Sequence, residues 1–343
     1  MEETLTDGAP WHFQRESGLK LASVAGEGRD GSLIVVSTDL TRIRRVPEIA
    51  RSLREALEQW ERVEPDLRRV ADALERDPEG GEPFPGTAVC ACLPRAFQFV
   101  DGSAYLAHVE RVRRARGAEM PPSFQVDPLM YQAVSDRFLG PREPIAVTDE
   151  SYGIDLEAEV GVMVDDVPMG VSPSVARSQI RLITLINDVS LRNLIPAELA
   201  KGFGFLQGKP LSSLAAVAVT PDEFGSDWSD ARVHRPLCSS INGIRLGDPD
   251  AGVDMQFGFD ELIAHAARTR PLGAGTLVGS GTVANRDLAR GCSCLAERRV
   301  LEILSGGEPQ TPFLRFGDRI RIEMHDRDGR SVFGAIEQNI VRA

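Results

Sequence analysis

The sequence predicts a β-dominated α+β protein, and three observations predict it. Short apolar runs alternate with Gly/Pro/Asp turns over most of the chain, helical spacing is confined to a few segments, and no internal repeat or low-complexity tract intervenes. At 343 residues the chain exceeds one typical core, so a small and a large domain are expected. Its 42% hydrophobic and 26% charged residues are those of an ordinary globular chain that needs no staples.

The elements follow in order. Residues 1–17, acidic and without a basic-then-apolar signal pattern, are expected to form a flexible leader. A β-hairpin is predicted over Gly18–Ser37 around AGEGRDGS. The spacing of Ile49, Leu53, Leu57 and Trp60 predicts a helix over Pro47–Trp60, resumed over Pro65–Leu74 after a break. DPEGGEPFPG, residues 77–86, reads as the linker out of the small domain, set at 18–95, with the large domain over 96–343. Beyond it, strands are expected at Ile154–Val164, Arg181–Ile186, Ala215–Thr220, Arg319–His325 and Ser331–Ile340, the last two joined as a hairpin through DRDG. Helices are expected from near Ser174 and over Phe259–Thr269.

A formal charge of −12 argues against a nucleic-acid-binding surface, and an anionic ligand would need local positive groups. No run approaches the roughly 20 apolar residues of a membrane helix, so no membrane partner is expected. The five cysteines (Cys90, Cys92, Cys238, Cys292, Cys294) lack the usual zinc spacing and read as buried or idle thiols in a reducing cytoplasm.

Candidate chemistry begins with GIDLEAEVGVMV, residues 153–164. Side chains alternate along a strand, so Glu157 and Glu159 share a face about 7 Å apart, opposite Leu156, Ala158, Val160, Val162 and Val164. Paired carboxylates repel and are expensive to bury without a positive partner. The stretch holds no Lys or Arg, so a bound cation would satisfy them; a solvent-facing strand with two exposed acids fits the local pattern equally. Asp188 ends the apolar run of RLITLINDVSLRN, where Asn-Asp is also a common turn. Asp101, in FQFVDGSAYLAH, precedes His108 by seven residues, a step that returns to nearly the same face of a helix, although a lone histidine there is more often structural. Oxygen donors of this kind suit Mg²⁺, Ca²⁺ or Mn²⁺ better than zinc. GFGFLQGKP places Lys209 after a glycine without completing a phosphate-binding loop. GSGTVANRD offers backbone N–H groups and the Thr282 hydroxyl to a carboxylate, or is an ordinary turn.

In this order the segments resemble the fumarylacetoacetate hydrolase family over most of residues 96–343. Glu157 and Glu159 match the family's two glutamates separated by one residue, and Asn187-Asp188-Val189-Ser190-Leu191-Arg192 its N-D-x-[ST]-x-R segment. Gly208-Lys209 matches its G-K, and Ser280-Gly281-Thr282 its S-G-T. Asp101 and His108 match an Asp preceding a catalytic His in the longer members, and Glu297 in GCSCLAERR matches that histidine's partner.

The resemblance implies a catalytic domain with the family's mixed β-roll fold, a small SH3-like N-terminal β domain, and a homodimer. It implies a divalent cation, Mg²⁺ first with Ca²⁺ or Mn²⁺ as alternatives, held by Asp101, Glu157, Glu159 and Asp188. Catalytic roles fall to His108, Glu297 and Lys209, and substrate contacts to Tyr131, Arg116, Arg192 and Thr282. The implied reaction is hydrolysis of a carbon–carbon bond in a small anionic dicarbonyl acid of fumarylacetoacetate or acylpyruvate type, as in cytoplasmic aromatic catabolism. A lyase on the same fold, an oxaloacetate-type decarboxylase or sugar-acid dehydratase, is the alternative; a non-catalytic binding protein is the third reading. Members acting on fumarylacetoacetate carry Gln and Tyr after the N-D segment; NLIPAELAKGF has neither, which leaves the substrate open.

Overall fold

The computed structural model describes residues 18–343 except 27, 116 and 118. The expected leader, residues 1–17, lies outside the described residues. The fold is mixed α/β with more strand than helix. Its frame is an 11-stranded sheet in the order Glu82–Pro83, Arg42–Arg45, Ser32–Val36, Lys20–Val24, Val217–Val219, Ile180–Asn187, Ala158–Val164, Leu277–Gly279, Phe99–Gly102, Met130–Ala133, with Ser213–Leu214 paired onto the end of Ile180–Asn187. A five-stranded sheet runs Ile244–Gly247, Leu237–Ile241, Arg319–Met324, Ile336–Arg342, Ile145–Val147.

The central strands AEVGVMV and IRLITLIN carry near-continuous apolar runs, the pattern of strands covered on both faces. Val160, Val162, Ile183 and Leu185 join one core cluster, while Met163, Leu182 and Ile186 join the other. The sheet is thus the wall between two cores.

The N-terminal hairpin forms as expected, Lys20–Val24 against Ser32–Val36. Its other edge does not stay free: Lys20–Val24 pairs antiparallel with Val217–Val219. The N-terminal strands therefore run on into the main sheet. Two helices cover them, Leu53–Glu58 and Trp60–Arg76, through Leu53, Leu57, Trp60, Val63 and Leu67. Neither helix has the predicted bounds. The first starts only at Leu53, where the Ser52 hydroxyl accepts from the Glu55 N–H at 3.2 Å. The second passes through Pro65, whose missing N–H falls near the helix start and removes a single bond. DPEGGEPFPG is more than a linker: Glu82–Pro83 pairs with Arg42–Arg45 as an edge strand, where proline is tolerated.

The expected strand Ile154–Val164 is two. Ile154–Asp155 pairs with Ser190–Leu191, and after Leu156-Glu157 the chain re-enters as Ala158–Val164 beside Ile180–Asn187. Register then does the assembling. Glu159 lies opposite Ile186, Gly279 opposite both Gly161 and Asp101, and Asn187 opposite Ala158. One end of the sheet thereby receives Asp101, Glu159 and Asp188. Among the described residues no helix is long and apolar enough to cross a membrane. All five cysteines are free.

Candidate active site

Asp101 lies in the Phe99–Gly102 strand, Glu159 in the Ala158–Val164 strand, and Asp188 just past Asn187. All three are buried, and a carboxylate oxygen of each lies within 4.8 Å of the others. Among the described residues no N–H or hydroxyl donates to either oxygen of Glu159, whose one polar neighbour is the Asp101 carboxyl, with which it can share a proton. An unpaired buried carboxylate costs several kcal/mol, so this group is built for a positive ligand or for protons. Without a ligand, protons take the place: burial first, then the Asp188 carboxylate, push Asp101 up to about 8. Burial, then Asp101 and Asp188, raise Glu159 well above the usual carboxylate range.

Glycine makes the approach possible. A Cβ at Gly279 would stand 2.2 Å from Asp101 Oδ1 and 3.2 Å from Glu159 Oε2. The Gly281 N–H donates to Asp101 Oδ1 at 3.2 Å from a left-handed backbone, φ +75°, that glycine adopts without strain. The donors are hard oxygens, with one carboxylate that receives no N–H or hydroxyl among the described residues, and they fit a divalent cation of the Mg²⁺, Ca²⁺ or Mn²⁺ kind.

Glu157 is in the opposite condition. Its Oε1 accepts from Thr282 Oγ1 and Arg192 Nη2, both at 2.7 Å, and its Oε2 from Ser190 Oγ at 3.0 Å and from Lys209 Nζ. Burial would raise its pKa, but Arg192 and Lys209 hold it well below the usual range. Lys209 bridges the two groups, donating also to Asp188 Oδ2 at 2.5 Å. Asp188 accepts as well from Ser212 Oγ and Tyr131 Oη, each at 2.6 Å. Arg192 continues to Asp155 at 2.8 Å, and Asp155 accepts the Leu295 and Ala296 N–H groups at 2.7 and 2.9 Å, tying in the start of the Leu295–Leu304 helix.

That helix carries Glu297 in its first turn. Glu297 Oε2 lies 2.8 Å from His108 Nδ1, and its other oxygen accepts from the Arg111 guanidinium. Burial would raise the Glu297 pKa, yet His108 and Arg111 together lower it. His108, Glu157 and the Cys294 thiol also fall within 4.8 Å of one another, so the His–Glu pair abuts the neutralised acids.

The structure thus brings together Asp101, Glu159 and Asp188; beside them Glu157, Lys209, Arg192, Thr282 and Tyr131; and next to these His108 and Glu297. Three expectations change. Glu157 and Glu159 are buried, which removes the exposed-strand reading. Glu157, expected as a fourth cation ligand, lies beside the three-acid group with its oxygens accepting four donors. Arg192 and Thr282, expected on substrate, direct their donors to Glu157 and Asp155. Arg116 lies outside the described residues. A cavity of about 760 Å³ lined by Val89, Arg95, Phe138 and Arg142 contains none of these residues, so cavity size does not mark the site. Asp155 and Arg111 escaped the sequence reading although each carried a signal: Asp155 continues the Asp-x-Glu-x-Glu alternation, and Arg111 stands three residues after His108 on one helix face.

Comparison with known proteins places this geometry. Residues 98–341 match the family model "Fumarylacetoacetate (FAA) hydrolase C-terminal", and residues 19–95 match "Fumarylacetoacetase N-terminal domain 2". The 2,4-didehydro-3-deoxy-L-rhamnonate hydrolase of Sphingomonas sp. (strain SKA58) is 28% identical over 159 residues, 46% of this chain and 53% of that protein. The match thus spans about half of the curated relative. Among solved structures, fumarylacetoacetate hydrolase from psychrophilic Exiguobacterium antarcticum has a TM-score of 0.67 at 16% identity, covering 95% of this chain and 100% of that one. Fumarylpyruvate hydrolase from Pseudomonas aeruginosa, in complex with Mn²⁺ and pyruvate, has a TM-score of 0.54 at 13% identity over 73% and 92%. 2-Hydroxyhepta-2,4-diene-1,7-dioate isomerase from Mycobacterium marinum has a TM-score of 0.57 at 16% identity over 94% and 98%. At these identities the structures speak to the fold alone.

Proposed function

The chain belongs to the fumarylacetoacetate hydrolase family, and from that premise we propose that it hydrolyses a carbon–carbon bond in a small 2,4-dioxo acid with a divalent cation. The observation that carries the reading is Glu159, buried with no N–H or hydroxyl donor among the described residues and grouped with Asp101 and Asp188. Those three acids would hold the cation, with Glu157 as a charged neighbour joined through Lys209. Mg²⁺ or Mn²⁺ suits such donors. Bound there, the cation would supply Lewis-acid polarisation of the substrate's oxygens.

The chain's own groups account for the rest. His108, with Nδ1 engaged by Glu297, takes a proton from water as general base, and Arg111 fixes Glu297 from its other side. Hydroxide adds to the substrate carbonyl, the carbon–carbon bond breaks, and the departing carbon takes up a proton. One water is consumed and a carboxylic acid and a 2-oxo acid leave. Lys209 donates toward the developing oxyanion, while Arg192 and Thr282 hold Glu157 in place. The partial likeness to a protein named as a hydrolase of a 2,4-didehydro-3-deoxy acid supports this choice of reaction.

A second reading is isomerisation or lyase chemistry, since the same fold occurs in a protein named as an isomerase. A panel of 2,4-dioxo acids, oxaloacetate and sugar acids assayed with Mg²⁺ or Mn²⁺ separates them. Chelator-sensitive release of a carboxylic acid is expected. Double-bond migration, water loss or CO₂ release without that cleavage would overturn the hydrolase.

A further inference from the structure

We infer that the substrate's acyl end is apolar, an aryl or branched alkyl group rather than a second carboxylate; this deepens the proposed function and rests on it. Outward from the three acids, the Tyr131 phenol donates to Asp188 at 2.6 Å. Phe205 then meets the Tyr131 ring edge-on, with centroids 5.0 Å apart and planes at 84°. The Lys209 ammonium lies over the Tyr131 ring, 5.3 Å from its centroid, so a carbon chain leaving the acid cluster on this side meets chiefly the Phe205 ring and the Tyr131 edge, which accept a third ring or a branched alkyl group with favourable contact.

The position of Phe205 is built. The N–H groups of Leu206, Gln207 and Gly208 all donate to the Glu198 carboxylate, at 3.1, 2.7 and 2.9 Å, and so wind the loop around one acid. A Cβ at Gly208 would come within 2.7 Å of the Ile195 side chain, so this winding needs glycine there. The loop is apolar on its outer side as well, with Phe203 and Leu206 exposed.

Charge points the same way. A second substrate carboxylate would need an uncommitted cation. Lys209 gives two of its three donors to Glu157 and Asp188, and the third is assigned to the oxyanion; Arg192 is committed to Asp155 and Glu157. Arg111 is committed to Glu297 and to the Asn285 and Arg286 carbonyls. Six buried acids, Asp101, Asp155, Glu157, Glu159, Asp188 and Glu297, face these three cations. Even with a divalent cation bound, the substrate's first carboxylate meets a site already short of positive charge.

The test uses oxamates, which resemble the cation-binding end of a 2,4-dioxo acid but have nitrogen in place of C3 and so lack the scissile carbon–carbon bond. An N-aryl oxamate and an N-carboxyalkyl oxamate of equal length are titrated calorimetrically into the full-length protein with Mn²⁺, beside plain oxalate. The aryl compound is expected to bind at least about 10-fold tighter, the order of discrimination an apolar pocket supplies. Phe205→Ser is expected to shrink that ratio. Equal or tighter binding of the carboxyalkyl compound overturns the inference while leaving the cation reading intact. An unchanged ratio in Phe205→Ser overturns the role of that wall. Failure of oxalate to bind with Mn²⁺ removes the underlying reading, and the inference with it.

Discussion

Glu157 and Glu159 stand two residues apart, both are buried, and their surroundings are opposite. Glu157 receives two hydroxyls, an ammonium and a guanidinium; Glu159, among the described residues, receives no such donor and faces the Asp101 carboxyl. Burial alone would raise both, yet one is driven down by Arg192 and Lys209 and the other driven up by Asp101 and Asp188. Burial by itself therefore says little about what a carboxylate does. The partners decide: a saturated acid organises its neighbours, and an unsatisfied one waits for a ligand. Under the proposed function the site divides along that line into three acids for the cation and a side that carries the His108–Glu297 pair.

Three experiments bear on this division, from the largest effect down. His108→Ala should cut turnover by about 10²- to 10⁴-fold while leaving Mn²⁺ affinity as it was, because His108 adjoins Glu157 and stands apart from the three-acid group. Steady-state rates and a cation titration check this, and loss of both together would erase the division. Arg192→Met strands Asp155 and Glu157 without their guanidinium, and urea unfolding should show a loss of about 3–5 kcal/mol. A change too small to resolve would mean that the saturated side is less tightly organised than its bonds imply.

The third concerns protons. In the cation-free protein at pH 7, Asp101, pushed up to about 8, and Glu159, higher than usual, retain protons that a cation must expel. Calorimetry at pH 7 in Tris and in phosphate should then give buffer-dependent enthalpies, with affinity rising as pH rises toward 8. The sign for stability is the reverse. The native cation-free state holds protons that the unfolded chain has released, so its stability falls as pH rises from the ordinary Asp value of 3.8 through about 8. Buffer-independent enthalpies would contradict the raised values.

Much of the site was legible because local rules governed it. The close spacing of Glu157 and Glu159 marked the right stretch, although Glu157 falls in the break before the Ala158–Val164 strand, whereas the seven-residue step from Asp101 to His108 did not hold as a helical step: Asp101 lies in the Phe99–Gly102 strand and the helix opens only at Leu106. What could not be read was the partner of each group. Gly281 and Asp101 lie 180 residues apart in sequence and meet only through the parallel pairing of Leu277–Gly279 with Phe99–Gly102. Local pattern likewise could not tell that Arg192 would turn back onto Glu157 and Asp155 instead of outward to substrate. The N-terminal domain shows the same limit. Its hairpin was plain from turn chemistry, but the docking of Lys20–Val24 onto Val217–Val219 is a long-range register that no window of sequence contains.

The most direct measurement is Mn²⁺ binding, followed by the electron paramagnetic resonance of the free ion, in the unmodified chain and in Glu159→Gln. The account predicts a single site per chain that weakens by about 100-fold or more in the variant, at or beyond the upper end of what even an outer hydrogen-bonding partner of a metal ligand is worth. Equal affinity in the two proteins, or no binding in either, would contradict it.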